Sequence, residues 1–135
     1  FKKAYTIEMY LAENTFSADI LTNVAKRIEV TSHTNIARER FVALVQNWIS
    51  RNEDTYEARI LETKLSQINN ILVDLKPGDL FSVTYVPNEG TYFVRNAQTL
   101  GRIEGEDFSR TFFAIWVGER PLDDALKTSL LAYAK

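Results

Sequence analysis

Few of the residue types that carry out covalent chemistry occur in this sequence of 135 residues. There is no cysteine and one histidine, His33, which excludes disulfides and thiolate nucleophiles and disfavours a zinc site. Serine, aspartate and histidine do not show the spacing of a hydrolase nucleophile elbow. His33 precedes a predicted helix, so a loop position near the helix cap is the simpler interpretation. We therefore predict no metal, no cofactor and no assigned catalytic residue.

The polar side chains that remain as candidates lie on predicted strands. Glu8 stands inside an alternating run, where an acid is exposed, paired, or shifted in its pKa by burial; exposure is the simplest of the three. A ligand pocket could draw a hydroxyl and a carboxylate-binding cation from Tyr5, Tyr10, Tyr92, Arg95 and Arg102. The alternative for the arginines is solvation, because strand arginines commonly lie on an exposed face.

Apolar and polar residues alternate from Tyr5 to Leu11, the pattern of a strand with one face in a core. We expect a short helix over residues 16–21, capped by Thr15 or Ser17, and a second strand over residues 27–31.

Two amphipathic helices are predicted next, joined as a helical hairpin. The first starts at Thr34 or Asn35, both good capping residues, and runs to about Ser50. Asp54 and Glu57 have the spacing of a capping box at the start of the second. The predicted buried stripes are Ala37, Phe41, Leu44, Val45 and Trp48 in the first helix, and Tyr56, Ile60, Leu61, Leu65, Ile68, Ile71 and Leu72 in the second.

Turn-forming residues divide the second half into a three-stranded meander and two helices. We expect the strands over residues 81–86, 91–95 and 100–103. Glu106 and Asp107 suit the first turn of a helix that ends at Gly118, and Pro121 fits the first position of a last helix. The buried stripes are Phe108, Phe112, Ile115 and Trp116, then Leu122, Leu126, Leu130 and Tyr133. This order predicts one α+β domain over residues 1–135, with an antiparallel sheet packed against a layer of helices.

Composition limits the partners of this domain. The 16 basic and 18 acidic residues give a net charge of −2 and are well mixed along the chain, so we do not expect a nucleic-acid partner. No apolar run approaches the roughly 20 residues that cross a bilayer, and no signal peptide is recognised. The strand pattern starts almost at Phe1 without an initiator methionine, so we expect further residues before it. No oligomeric state is predicted.

Turn residues and aromatic residues recur at characteristic spacings from Pro77 onward. They are Pro77-Gly78-Asp79, Phe81, Tyr85, Pro87, Gly90-Thr91, Asn96, Gly101, Ile103, Gly105, Asp107-Phe108, Ile115-Trp116, Gly118, Pro121, Leu126 and Leu130-Leu131. In order and spacing, this set resembles the bacterial chalcone isomerase-like family. The resemblance implies that family's α+β fold, with its first strands preceding Phe1. It also implies a periplasmic or otherwise exported protein, with a cytoplasmic location as the alternative.

The resemblance further implies catalytic positions that this chain mostly leaves unfilled. The early-strand arginine of true chalcone isomerases would precede Phe1, and the core-strand threonine falls at Tyr5, with Thr6 one register away on the opposite face. The late polar position falls at Ile115. The predicted first helix contains no tyrosine. Its polar residues do not match the spacing of the tyrosine, lysine and asparagine that the family carries on this helix; they are Arg38, Arg40, Gln46 and Asn47. A non-catalytic relative is therefore expected.

The side chains expected to line an apolar ligand cleft are Tyr5, Ile7, Met9, Phe112, Ile115 and Trp116. Such a wall suits a small apolar molecule such as a fatty acid, the ligand class of non-catalytic plant relatives. The aromatic stripe has a second interpretation as ordinary core, since helix packing on a sheet needs such a stripe. Two other functions stay open: an isomerase or lyase acting on an enone-type substrate with a divergent residue set, and a protein-interaction module without a ligand.

Overall fold

A computed structural model describes residues 4–135, which form a five-stranded antiparallel sheet and four α-helices. The strands follow one another across the sheet in chain order. They are β1 (Tyr5–Leu11), β2 (Lys26–Ser32), β3 (Leu80–Val86), β4 (Gly90–Arg95) and β5 (Gln98–Ile103). The helices are α1 (Arg38–Arg51) and α2 (Tyr56–Ile71), between β2 and β3, and α3 (Glu106–Val117) and α4 (Asp124–Ala132), after β5. The predicted α+β architecture is confirmed.

The strand register gives the sheet one apolar face and one polar face. One row of directly paired, buried residues crosses the first four strands: Met9, Ile28, Val83 and Phe93. The adjacent row contains Glu8, Glu29 and Ser82 and lies on the opposite face, because side chains alternate along a strand. Helices α2, α3 and α4 contact the sheet and cover the apolar face.

Helix α3 supplies most of the contact with the middle of the sheet. The rings of Phe112 and Phe93 meet edge to face, with centroids 5.5 Å apart, a favourable aromatic geometry. Phe108 and Phe113 are also buried. On the neighbouring strand, a Cβ added at Gly101 would lie 2.7 Å from Cγ1 of Ile71, so a glycine is required where α2 crosses β5.

Helix α1 begins later than its predicted caps at residues 34–35, so that prediction is wrong. Ile36 and Leu75 form an isolated antiparallel bridge, with N–H to O distances of 2.8 and 2.9 Å, which holds the preceding chain extended. The backbone N–H of Arg38 then donates to Oδ1 of Asp74 at 2.8 Å. The cap of α1 therefore comes from a residue distant in sequence.

The predicted starts of α2 and α4 are also wrong, by one and three residues. Thr55, not Asp54, caps α2: its hydroxyl accepts the backbone N–H three residues later at 3.2 Å. Asp123 caps α4 in the same way at 3.0 Å. Pro121 does not open the helix, because the next backbone N–H, of Leu122, donates back to the α3 carbonyl of residue 115 at 2.8 Å.

Three residues predicted to lie on buried helix stripes are exposed instead. Ala37 precedes α1 and is exposed. Tyr56, at the first position of α2, is 61% exposed, and Tyr133, just past α4, is 77% exposed. Terminal positions escape burial because the neighbouring helix or strand no longer extends over them. The predicted helix over residues 16–21 is a single 3₁₀ turn, Ser17–Asp19, without a side-chain cap.

Candidate ligand cavity

A small, largely apolar cavity opens between the first two strands and helices α1 and α3. Its volume is about 110 Å³. Aliphatic and aromatic side chains form nearly all of its wall, and the polar groups among its lining side chains belong to one tyrosine, one arginine and one tryptophan. The lining residues are Tyr5, Ile7, Val30, Ile36, Arg40, Phe41, Leu44 and Trp116. We call this the outer cavity.

A second space, which we call the deep void, lies further into the core. Its volume is about 20 Å³, roughly the minimum that holds one water molecule. Its lining is apolar apart from the indole N–H of Trp116, and it reaches the central strands: Ile28, Val30, Phe41, Leu44, Val45, Leu72, Phe81, Val83, Phe112 and Trp116. The two spaces share four of these side chains, which therefore separate them.

The structure brings some of the six predicted site residues together. Tyr5, Ile7 and Trp116 line the outer cavity, and Phe112 lines the deep void together with Trp116. Met9 and Ile115 line neither space. Met9 lies two residues further along β1, and Ile115 points away from Trp116 around α3; both are fully packed core residues, 1% and 0% exposed. A ligand contact for any of the six remains a prediction.

Arg40 is the cation that the outer cavity presents. No carboxylate within residues 4–135 forms an ion pair with its guanidinium. The nearby Arg38 is occupied, because it pairs with Glu39 at 3.7 Å and donates to the carbonyl of Leu72 at 3.1 Å. Of these two arginines, only Arg40 has a side chain available to a ligand in the outer cavity.

Arg40 was not predicted as a cavity residue, because it was compared only with the family's catalytic positions and not with the apolar stripe of α1. Arg40 precedes Leu44 by four residues, and residues four apart share a face of a helix. The same spacing rule that predicted the stripe could therefore have placed this arginine beside it.

The other polar candidates do not line the outer cavity or the deep void. Tyr10, Tyr92 and Arg102 lie on the polar face of the sheet, opposite the helices. Arg95, at the far end of β4, donates to the carbonyl of Asp74 at 3.3 Å. Strand parity places Tyr10, Tyr92 and Arg102, because a one-residue shift along a strand moves a side chain to the other face. Arg95 has the parity of the apolar face and is kept from the cavity by its place at the end of β4.

Glu8 is also on the polar face, where it is partly exposed and paired. Its carboxylate forms an ion pair with the ammonium of Lys135, and hydrogen bonding to Glu8 raises the pKa of that lysine. Thr6, on the same face, lies 2.6 Å from Nε2 of His33, measured from its hydroxyl oxygen. The histidine is thus an exposed loop residue beside a strand.

Lys26 is a buried cation that sequence reasoning also overlooked. Its ammonium donates to the carbonyl of Thr22 at 2.9 Å and lies 5.2 and 5.5 Å from the ring centroids of Tyr85 and Phe113. Burial lowers the pKa of Lys26 to about 8, a shift that the carboxylate of Glu106 opposes. Lys26 borders neither the outer cavity nor the deep void, so its effect concerns stability.

A larger groove of about 410 Å³ lies at the other end of α1. Its wall mixes acidic and basic side chains with apolar ones: Leu21, Trp48, Asn52, Thr55, Glu57, Arg110, Ala114, Gly118, Glu119 and Arg120. Such a wall would leave charged groups partly desolvated against an apolar ligand. Size alone therefore does not make it the better candidate.

Across residues 4–135, no three histidine, aspartate or glutamate side chains come close enough together to hold a metal ion. In the same part of the chain, no helix has the length and hydropathy of a membrane span.

The fold and cavity define an α+β domain whose antiparallel sheet and helix layer enclose a small apolar space. The family model described as chalcone isomerase-like matches residues 1–132, and the chain therefore belongs to the chalcone isomerase-like family. A fatty-acid binding protein of Arabidopsis thaliana has a similar structure, with a TM-score of 0.65 and 13% identity, over 95% of this chain and 76% of that chain. At this identity the likeness shows the fold alone. No curated protein sequence is matched.

Proposed function

We propose that this protein binds a small apolar molecule with an anionic head group, such as a fatty acid, in the outer cavity and does not transform it. The observation that carries the proposal is a cavity with an almost wholly apolar wall and a cation, Arg40, that forms no ion pair with any carboxylate of residues 4–135. Burial of a methylene contributes roughly 0.8 kcal/mol, so the apolar wall supplies affinity. The guanidinium, which matches a carboxylate with two parallel hydrogen bonds, orients the ligand.

Tyr5 supports the same ligand class from the other side of the cavity. It is 39% exposed and lines the outer cavity together with Arg40, so its hydroxyl can serve the head group while its ring contacts the chain. The solved relative from Arabidopsis thaliana is a fatty-acid binding protein, and that ligand class combines the two chemistries that this cavity offers.

A catalytic role is not supported by the same wall. Cyclisation of an enone substrate needs donors arranged around the developing negative charge. Two side chains with polar groups at the outer cavity, Tyr5 and Arg40, are proposed to serve the head group, and the third, Trp116, has its N–H buried. The family resemblance places a late polar residue at position 115. This chain has Ile115 there, and its side chain is buried in the core.

The proposal is tested by titrating the purified protein with a fatty acid and with the alcohol of the same chain length. We expect micromolar binding of the acid, and about tenfold weaker acid binding by Arg40→Gln with little change for the alcohol. Arg59→Gln, an exposed arginine on α2, is the matched control and should leave both affinities unchanged. Absence of co-purifying lipid by mass spectrometry, together with no micromolar binding, would refute the proposal.

The bacterial type of the family and a periplasmic location remain predictions from the resemblance. The motif from Pro77 to Leu131 supports them. Detection of the protein in the periplasmic fraction of its native cells would test both, and its recovery from the cytoplasm alone would favour the alternative location.

A further inference from the structure

Four side chains form the partition between the outer cavity and the deep void. Each of them lines both spaces: Val30, Phe41, Leu44 and Trp116. Val30 belongs to the sheet and cannot move without disturbing a strand that is paired on both sides. Phe41 lies 5.8 Å from the ring of Phe81, measured between centroids. Trp116 is the largest of the four and stands near the end of α3, so its displacement would open the most space.

The outer cavity is too small for a long acyl chain. At about 110 Å³, it is smaller than the roughly 150 Å³ apolar cavity known to hold a benzene molecule, and ligand pockets typically measure about 300–1,000 Å³. The deep void adds about 20 Å³. A chain of more than a few carbons therefore requires a side chain of the partition to move.

The hydrogen bonding of the Trp116 indole affects how easily this ring can move. Its Nε1–H is buried and has no partner among the described residues. The other tryptophan, Trp48, donates its Nε1–H to the carbonyl of Arg120 at 2.8 Å. A buried donor without an acceptor costs free energy, so the observed position of Trp116 carries a penalty that lowers the cost of displacing the ring.

We propose that Trp116 is a gate between the outer cavity and the deep void and that it sets the length of acyl chain that binds. Short chains occupy the outer cavity with the ring in its observed position. Longer chains displace the ring, connect the two spaces and extend toward Phe112 and Val83, which line the deep void. This inference rests on the proposed function, because it concerns the same cavity.

Binding of butanoate and dodecanoate, measured by calorimetry, tests the gate. Trp116→Ala joins the two spaces, and we expect it to raise the affinity for dodecanoate relative to butanoate at least tenfold. Trp48→Ala removes an equally large side chain that lines the separate groove and should leave the ratio unchanged. If the alanine variants do not fold, Trp116→Phe and Trp48→Phe provide the same comparison with a smaller expected change.

The indole N–H signals in ¹H–¹⁵N spectra of the unaltered protein give a second readout. Trp116→Phe identifies the Trp116 signal by its loss. We expect dodecanoate to shift this signal strongly and butanoate to leave it nearly in place. An unchanged chain-length ratio in the variants, or a Trp116 signal that does not respond to dodecanoate, would overturn the gate alone. No binding of either acid would overturn the proposed function and the gate with it.

Discussion

Individual side chains in this protein are placed by strand parity and helix spacing, and both can be followed from the sequence. Parity places Ile7 on the helix side of the sheet and Glu8 on the other side, as the alternation predicted. Strand parity does not determine how deeply a side chain is buried. Met9 shares the face of Ile7 but is completely packed, because depth depends on which helix lies above each position.

Strand parity also explains the burial of Lys26, and this burial predicts how the free energy of unfolding depends on pH. It precedes Ile28 and Val30 at two-residue intervals, which places its ammonium in the core. Its pKa is lowered to about 8 in the folded protein, against about 10.4 in an unfolded chain. Between these values the unfolded state binds more protons, so the free energy of unfolding should rise with pH, by on the order of 1–3 kcal/mol.

This rise is opposed at about pH 10, where tyrosine hydroxyls titrate. Burial raises the pKa of Tyr85 in the folded protein, and the pKa values of Tyr10, Tyr92 and Lys135 are raised as well. For each of these groups the unfolded state loses its proton first, so the gain in stability diminishes above about pH 10. Urea unfolding from pH 7 to pH 10 measures the slope. Lys26→Met should remove it and raise the stability at pH 7. An equally steep slope in Lys26→Met would show that Lys26 is not its source.

Every strand and every α-helix of residues 4–135 was predicted from the sequence, but the predicted starts of three helices were wrong. A side-chain oxygen caps α2, as predicted, but at Thr55 instead of Asp54. The cap of α4, Asp123, was not predicted, because Pro121 indicated an earlier start. The start of α1 could not be predicted locally. Its cap, Asp74, is held beside Arg38 by the bridge between Ile36 and Leu75, a long-range contact that no sequence window contains.

The cap assignment predicts different effects for two aspartates. Asp74→Ala should destabilise the protein by about 0.5–2 kcal/mol, because the first backbone N–H of α1 loses its acceptor. Asp54→Ala removes the residue that the sequence suggested as a cap but that makes no capping bond, and its effect should stay within about 0.5 kcal/mol. Denaturant unfolding of both variants provides the comparison. Equal losses would contradict the assignment of Asp74.

For the molecule as a whole, the order of the last three strands could be predicted from sequence because short turns join them. The pairing of β2 with β3, which two helices separate in sequence, was not predicted. The cavity was accessible only in part. Tyr5, Ile7 and Trp116 were predicted, whereas Ile36, Arg40 and Leu44 were not. A cavity is the space left where two strands and two helices meet, and its size depends on packing that no local pattern records.

Binding of an apolar chain in the outer cavity is tested most directly by mapping the bound ligand on the protein. Methyl ¹H–¹³C spectra recorded during titration with dodecanoate should show the largest shifts at Ile7, Val30, Ile36 and Leu44, which line that space. Leu21, in the polar groove, should change little. Saturable shifts centred on Leu21, or no saturable shifts anywhere, would contradict binding in the outer cavity.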